Sequence, residues 1–187
     1  SYRQPFICPE GAFSYYVRPG DTLYKIALKF NTTVPNIIAV NNLPNPNMLY
    51  VNQQLCIPKV PLTTPCSLML MARTDVTSSI RLSGNGVMHI GPAGESAFSV
   101  VATLPTPTEL NLQRYDVYLL TSPTSSGGVS KQLQPVPNNT NLWAARIDGL
   151  EPYNISRNSV VYISGSSSQF PPPGERILLE GSMQNCK

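Results

Sequence analysis

Few residues of this chain have the types and spacing that catalysis or metal binding requires. Its 187 residues include one histidine, His89, and four cysteines, at positions 8, 56, 66 and 186. A structural zinc site uses about four histidine or cysteine ligands, often in close Cys-x-x-Cys pairs, and no such pair occurs here. We therefore expect neither a metal site nor a cofactor.

Hydrolytic catalysis is also poorly supported by the sequence. A catalytic triad places a serine or cysteine nucleophile beside a histidine and an orienting acid, and no Gly-x-Ser-x-Gly turn is present. Glycosidic cleavage needs only two carboxylates, but most glutamates lie in turns or at strand ends, where they are solvated: Glu95, Glu109, Glu151 and Glu175. We expect His89 to be an ordinary strand residue, no catalytic residue elsewhere, and no enzymatic activity.

The cysteines indicate disulfide bonds and therefore a compartment outside the reducing cytosol. Their number is even, charged residues make up only 12 % of the chain, and proline occurs 19 times. Three pairings are open, and we favour Cys8–Cys56 with Cys66–Cys186 because each would close one of two regions of the chain. The alternative is that some cysteines pair between subunits.

These two regions are separated by a connector rich in proline and threonine, residues 59–65. Such a composition predicts a short, stiff, extended linker. We expect an N-terminal arm over residues 1–12, a first domain over 13–58 and a second domain over 66–187.

Charge and hydropathy narrow the range of partners. Up to residue 62 the chain has five cations and two anions, and the remainder has eight of each. The basic first part fits an anionic wall polymer, although solvated surface charge explains it equally well. The total charge of +3 is too small to indicate nucleic acid binding, and no apolar run approaches the 18 residues of a membrane span.

The first domain has the pattern strand, helix, helix, strand, which is an α+β arrangement. Residues 14–17 and 54–57 have strand-forming types, and Pro58 stops the second of these strands. Apolar residues at helical spacing predict a helix over 22–30 with Asp21 as its N-cap. A second short helix is expected after Thr33, which would cap it.

Residues 13–58 resemble the LysM family along their whole length. The matching words are Tyr16-Val17-Arg18-Pro19-Gly20-Asp21-Thr22-Leu23, Ile26-Ala27, Phe30, Thr33-Val34, Ile37-Ile38, Asn41-Asn42 and Leu55-Cys56-Ile57-Pro58. One departure is Asn52, where the family usually has glycine before Gln53. Because asparagine tolerates the left-handed backbone conformation, we expect Asn52 to replace that glycine without loss.

This resemblance implies a β-α-α-β fold that binds glycans containing N-acetylglucosamine, namely peptidoglycan or chitin oligosaccharides. It also implies that the sugar lies in a shallow groove between two loops. Carried over by position, the glycan-binding residues are Gly20, Asp21, Thr22 and Leu23 in the first loop, and Asn47, Met48, Leu49 and Tyr50 in the second.

The chemistry of these residues fits an acetamido sugar. Main-chain N–H and C=O groups can pair with the amide, Leu23, Met48 or Leu49 could hold its methyl group, and Tyr50 offers an aromatic face and a hydroxyl. The alternative is that Leu23 and Leu49 belong to the core and that Tyr50 is surface packing. A shallow groove predicts a Kd of about 10 µM to 1 mM, or roughly −4 to −7 kcal/mol.

The second domain has the short strands and turns of an antiparallel β-sandwich. Phe98, Val100 and Ala102 alternate with smaller or polar residues, as in a half-buried strand. We expect a hairpin turn at residues 83–86 and a loop over 165–174. The predicted strands are 67–74, 79–82, 87–90, 97–103, 115–121, 131–136, 142–148, 159–164 and 176–180.

Together these observations predict a non-enzymatic extracellular protein that binds wall glycans through its first domain and displays that domain on a cell wall or spore surface. The alternative is a subunit of a homo-oligomeric fibre or spore coat. Such a fibre would be assembled by disulfides and by strand addition, with arm residues 2–8 docking on a neighbour or on their own domain.

Overall fold

The computed structural model describes residues 6–73, 75–123, 127–168 and 176–186. The expected positions of arm residues 2–5, and of residues 169–174 in the predicted loop, lie outside this part of the chain.

The first part of the chain has the predicted β-α-α-β order: β1 (Ala12–Tyr16), α1 (Leu23–Lys29), α2 (Val34–Val40) and β2 (Gln54–Pro58). The two strands pair antiparallel, with Ala12 opposite Pro58 and Tyr16 opposite Gln54. Both helices cover one face of this pair, and side chains from all four elements form one small core that includes Phe13, Ile26, Ile37 and Leu55.

The two helices begin at threonines. Thr33 caps α2 as predicted, and its hydroxyl accepts a hydrogen bond from the Asn36 amide at 3.2 Å. The predicted cap of α1 is wrong by one residue, because Thr22 rather than Asp21 accepts from the Lys25 amide. Threonine and aspartate are both good N-caps, and Asp21 is engaged by other donors.

The second part of the chain is all β and antiparallel, as predicted. Its strands are β3 (Cys66–Ala72), β4 (Ser83–Ile90), β5 (Ser96–Thr103), β6 (Arg114–Leu120), β7 (Gly128–Gln132), β8 (Gln134–Pro135), β9 (Leu142–Ile147), β10 (Val160–Ser166) and β11 (Arg176–Ser182). Short 3-10 helices lie at Pro107–Leu110, Glu151–Tyr153 and Met183–Asn185.

These strands form one sheet in the order β7-β6-β10-β11-β3-β4-β5-β9-β8. The strands at its two ends, β7 and β8, are neighbours in the chain and are separated only by the buried Leu133. The Lys131 ammonium group also reaches from β7 to the Arg146 carbonyl oxygen of β9, at 2.8 Å. The sheet therefore curves back on itself around one core.

That core is shared by the two halves of the sheet. The predicted alternation is confirmed, since Phe98, Val100 and Ala102 all point inwards. They meet side chains of the opposite half, such as Val117 and Ile163. The two layers of the predicted sandwich are thus present, but the pairing of β11 with β3 joins them into one sheet.

The predicted hairpin turn at residues 83–86 is wrong. These residues open β4, which continues through the predicted strand 87–90, and the predicted strand 79–82 does not form. Gly84 and Gly86 lack side chains because core residues fill the space: a Cβ on Gly86 would lie 2.3 Å from the Phe98 ring. Close packing, rather than a turn, therefore explains these glycines.

Both favoured disulfides are present within the chain. Cys8 is bonded to Cys56 and Cys66 to Cys186, with Cα–Cα distances of 5.5 and 5.2 Å. The structure contains no free cysteine. All four cysteines are therefore used inside one molecule, which leaves none for the alternative of bonds between subunits.

The connector is bound to the sheet region rather than standing free. The Arg157 amide donates to the Val60 carbonyl oxygen at 2.8 Å, and Pro61 forms an isolated antiparallel bridge with Ser156. The buried side chain of Asn158 donates to the Pro58 carbonyl oxygen at 3.4 Å. The connector is thus fixed on one side by main-chain hydrogen bonds.

We predict that Gly86→Val destabilises the protein by about 1–3 kcal/mol, because the new side chain must displace the buried Phe98 ring. The control is Asn85→Val, the neighbouring exposed position on the outer face of β4, where we expect little change. Urea unfolding with both disulfides intact measures the difference. Equal midpoints for the two variants would contradict this account of the strand.

Candidate functional site

The loops that carry the predicted glycan residues lie together at one end of the β1–β2 pair. The first loop follows Tyr16 at the end of β1, and the second precedes Gln54 at the start of β2, directly opposite. Two main-chain hydrogen bonds extend the pairing into the loops: Val17 N–H to the Gln53 oxygen at 2.9 Å, and Asn52 N–H to the Val17 oxygen at 2.7 Å.

The first loop is a tight turn held by the carboxylate of Asp21. One oxygen, Oδ2, accepts from the Tyr15 hydroxyl at 2.6 Å and from the Arg18 amide at 2.8 Å. Gly20 has a φ of +84°, which glycine adopts without strain, and no atom occupies the space where its Cβ would be. The Lys25 ammonium group donates to the Gly20 carbonyl oxygen at 3.0 Å.

This arrangement shifts the pKa values of both partners. Burial, the hydrogen bond to Asp21 and the negative charge of Asp21 raise the pKa of Tyr15 to about 12. Partial burial tends to raise the pKa of Asp21, but the bonds from Tyr15 and Arg18 and the positive charge of Lys29 outweigh it and lower that pKa. The turn therefore contains a carboxylate that is ionised at neutral pH.

The second loop returns to β2 through a turn at Asn52. Asn52 has a φ of +66°, so asparagine takes the left-handed conformation as expected. The side-chain oxygen of Gln53 accepts from the Tyr50 main-chain N–H at 2.9 Å, and the main-chain N–H of Gln53 donates to the Tyr50 carbonyl oxygen at the same distance. These two bonds fix the Tyr50 backbone while its side chain stays free.

The predicted residues divide into exposed and core positions. Gly20, Thr22, Asn47, Met48 and Tyr50 are exposed, and Tyr50 retains 63 % of its accessible surface. The Leu23 side chain is only 6 % exposed and belongs to the small core. Leu49 is half-buried against the same core, so these two leucines form the base beneath the loops.

An unpredicted side chain, Asn41, connects the second helix to the second strand. Its amide nitrogen donates to the carbonyl oxygens of Ile37 and Cys56, both at 2.7 Å, and its oxygen accepts from the Cys56 amide at 2.8 Å. The second loop starts at Asn41, so this residue fixes where that loop begins. The sequence feature that could have indicated this role is the position of Asn41 in the Asn41-Asn42 motif.

The N-terminal arm is held on the face of the β1–β2 pair that the helices leave open. The Gln54 side chain accepts from the Phe6 amide at 3.1 Å and donates to the Phe6 carbonyl oxygen at 2.6 Å. The Cys8–Cys56 disulfide lies next to this contact. From Phe6 onwards the arm therefore contacts its own domain.

Other groups offer little for catalysis or metal binding. His89 Nε2 lies 3.1 Å from Ser99 Oγ, but among the described residues no carboxylate is hydrogen-bonded or ion-paired to the imidazole. The described ranges contain no group of three or more potential metal ligands. Of the helices in those ranges, none has the length and apolar character needed to cross a membrane.

Comparison with known families assigns both parts of the chain. Residues 15–58 match the LysM domain, and residues 62–187 match the family described as "SPbeta prophage-derived uncharacterized protein YoqH". The second match covers more than half of the chain. The chain belongs to the YoqH family. This YoqH-family protein also carries a LysM domain, which is a carbohydrate-binding domain, at the position where the two loops lie.

Two curated relatives match the LysM part alone. The secreted LysM effector ECP6 of Passalora fulva is 47 % identical over 45 residues, which are 24 % of this chain and 20 % of that protein. The cortical fragment-lytic enzyme of Bacillus subtilis (strain 168) is 46 % identical over 44 residues, 24 % of this chain and 10 % of that protein. The chain thus matches a fifth or less of each relative. No solved structure gives a significant match.

We predict that Asn52→Gly changes stability by less than about 0.5 kcal/mol, whereas Asn52→Val costs about 1–2 kcal/mol. The reason is the φ of +66°, which glycine accepts and a β-branched residue does not. Asn42→Val is the control, since Asn42 is exposed and outside the left-handed region. Guanidinium unfolding provides the measurement, and an equal cost for valine at both positions would contradict the assignment.

Proposed function

We propose that this YoqH-family protein is a non-enzymatic binder of wall glycans that contain N-acetylglucosamine, such as peptidoglycan or chitin. The glycan contacts the exposed first loop at Gly20 and Thr22 and the exposed second loop at Asn47, Met48 and Tyr50. The observation that carries the proposal is the side-by-side position of these two loops in a LysM domain.

Main-chain groups and one aromatic ring supply the expected contacts. The loop amides and carbonyls pair with the acetamido group, and the exposed Tyr50 ring packs against a pyranose face. Leu23 and Leu49 support the two loops from the core side, because their side chains pack into the core beneath them. Asp21 contributes its backbone, since its carboxylate Oδ2 is already engaged within the turn.

Two features of the chain support access to the proposed groove. The β1–β2 pair is five residues long, and the connector leaves from Pro58, at the end opposite to the loops. At about 3.3 Å per residue the loops and the connector are separated by roughly 15 Å. The five loop residues named above are exposed with the sheet region present. Both observations support the proposal that the second domain, residues 66–187, displays the glycan-binding module without covering its groove.

We place this activity outside the cell, at a cell wall or spore surface. The two disulfides require an oxidising compartment, and ECP6, which matches the LysM part, is a secreted protein. The lytic-enzyme relative matches over the LysM residues alone, so that resemblance brings no catalytic segment with it.

Assembly into a fibre by strand addition has less support. The end strands β7 and β8 are each paired on one side only, but they are short, with five and two residues, and they follow each other in the chain. Homo-oligomers formed through other surfaces would still raise the avidity of a weak groove.

We predict that Tyr50→Ala lowers the affinity for chitin oligosaccharides about five- to tenfold, the loss expected for one sugar–aromatic contact of roughly 1 kcal/mol. Calorimetry with soluble oligosaccharides, together with retention on insoluble peptidoglycan and chitin, provides the measurement. Tyr24→Ala is the matched control, because Tyr24 is 66 % exposed on α1 and outside both loops.

Three results would contradict the proposal or a part of it. One is a wild-type protein, folded and oxidised, that neither polymer retains and that no oligosaccharide perturbs. Another is an equal loss of binding in Tyr24→Ala and Tyr50→Ala, which would remove the assignment to these loops. Release of reducing sugars from either polymer would replace the non-enzymatic reading with a hydrolytic one.

A further inference from the structure

We propose that Tyr15 is a positioning residue for glycan binding, acting through Asp21 to hold the first loop in its binding conformation. This inference rests on the proposed function and adds to it a residue that the sugar does not touch.

Packing in the core of the first domain restrains the ring of Tyr15. Tyr15 is 1 % exposed, and its ring packs edge-to-face on Phe30 with the centroids 5.1 Å apart. The Lys29 ammonium group lies 5.2 Å from the ring centroid. Because packing restrains the ring on strand β1, its hydroxyl is a fixed point to which the loop can be attached.

The loop is attached to that point by a single carboxylate oxygen. Asp21 Oδ2 accepts from Tyr15 at 2.6 Å and from the Arg18 amide at 2.8 Å, so one atom closes the turn and ties it to the core. Gly20 lies inside this turn, and Thr22 follows it as the cap of α1. Two proposed glycan-contacting residues therefore depend on the position of the Asp21 side chain.

The charge of Asp21 makes this attachment sensitive to pH. The groups that act on it are Tyr15 from β1, Arg18 from the turn and Lys29 from α1, and together they lower its pKa despite partial burial. The stabilisation is therefore present above the carboxyl's ordinary pKa and is lost as pH falls through the lowered value. Removing the Tyr15 hydroxyl raises the pKa of Asp21, so this loss begins at a higher pH.

Tyr15→Phe tests the attachment while preserving the packed ring. We expect it to weaken oligosaccharide binding about tenfold at neutral pH, the lower end of the range for a hydrogen bond to a charged group, and to move the acid midpoint of binding upwards. The matched control is Tyr115→Phe, which removes a similarly buried hydroxyl that donates to the Pro105 oxygen at 2.7 Å in the sheet region. That control should leave affinity and midpoint unchanged.

Asp21→Asn is the second variant, because asparagine can still accept both hydrogen bonds but does not titrate in this range. We expect it to bind without the acid-dependent loss seen in the wild type. All variants are compared as full-length protein with both disulfides formed. An unchanged affinity and midpoint in Tyr15→Phe, or an unchanged acid midpoint in Asp21→Asn, would overturn the inference.

NMR separates this inference from the proposed function. Carbon-detected titration of the Asp21 carboxyl and relaxation of the amides of residues 18–22 need no ligand. A higher Asp21 pKa and looser amides in Tyr15→Phe would uphold the positioning role even if the wild type bound no glycan, in which case the proposed function alone would fail. An unchanged pKa and unchanged amide order would overturn the positioning role while leaving glycan binding intact.

Discussion

The five-residue antiparallel pairing of β1 with β2 is the constraint on which the position of the two proposed glycan-binding loops depends. It joins two segments about 40 residues apart, and its register sets Tyr16 opposite Gln54. Because the strands run in opposite directions, the loop that leaves one and the loop that enters the other must share an end. The connector leaves from the opposite end of this pair, so its start is separated from the two loops by the length of the strands.

Such a small unit cannot hold its loops by apolar burial alone, because a short chain buries too little surface. The loops and the arm are held in addition by a few polar side chains, each of which makes several hydrogen bonds. Asn41 ties α2 to β2, Asp21 ties the first loop to Tyr15, and Gln54 ties down the arm beside the Cys8–Cys56 disulfide. Asn41, Asp21 and Gln54 each also make a hydrogen bond to a main-chain group, so they fix the backbone of the loops and the arm. The proposed groove depends on such fixed main-chain groups.

In the larger, YoqH-family part of the chain, the main structural feature is how the two ends of the β-sheet are arranged. Its chain passes from β7 to β8 at Leu133, so the strands at the two ends of the sheet are continuous with each other. The unpaired edges are short, five residues in β7 and two in β8, which limits pairing with other molecules. Val60 and Pro61 are hydrogen-bonded to the loop before β10, which attaches the connector after the LysM domain to this nearly closed sheet.

The local sequence was sufficient to predict a structural feature wherever the local backbone conformation favours one residue type. The Gly20 turn, the Thr33 cap, the left-handed Asn52, the alternation around Phe98 and the family pattern of residues 13–58 all follow from short stretches of sequence. Only the tertiary structure decided that Gly84 and Gly86 leave space for the side chains of Leu70 and Phe98. It also decided that Leu23 lies in the core and that Asp21 accepts a hydrogen bond from Tyr15 instead of capping α1. The physical reason is that glycine, leucine and aspartate each satisfy several environments equally well. The choice among them is made by partners that are distant in sequence and close in the folded chain.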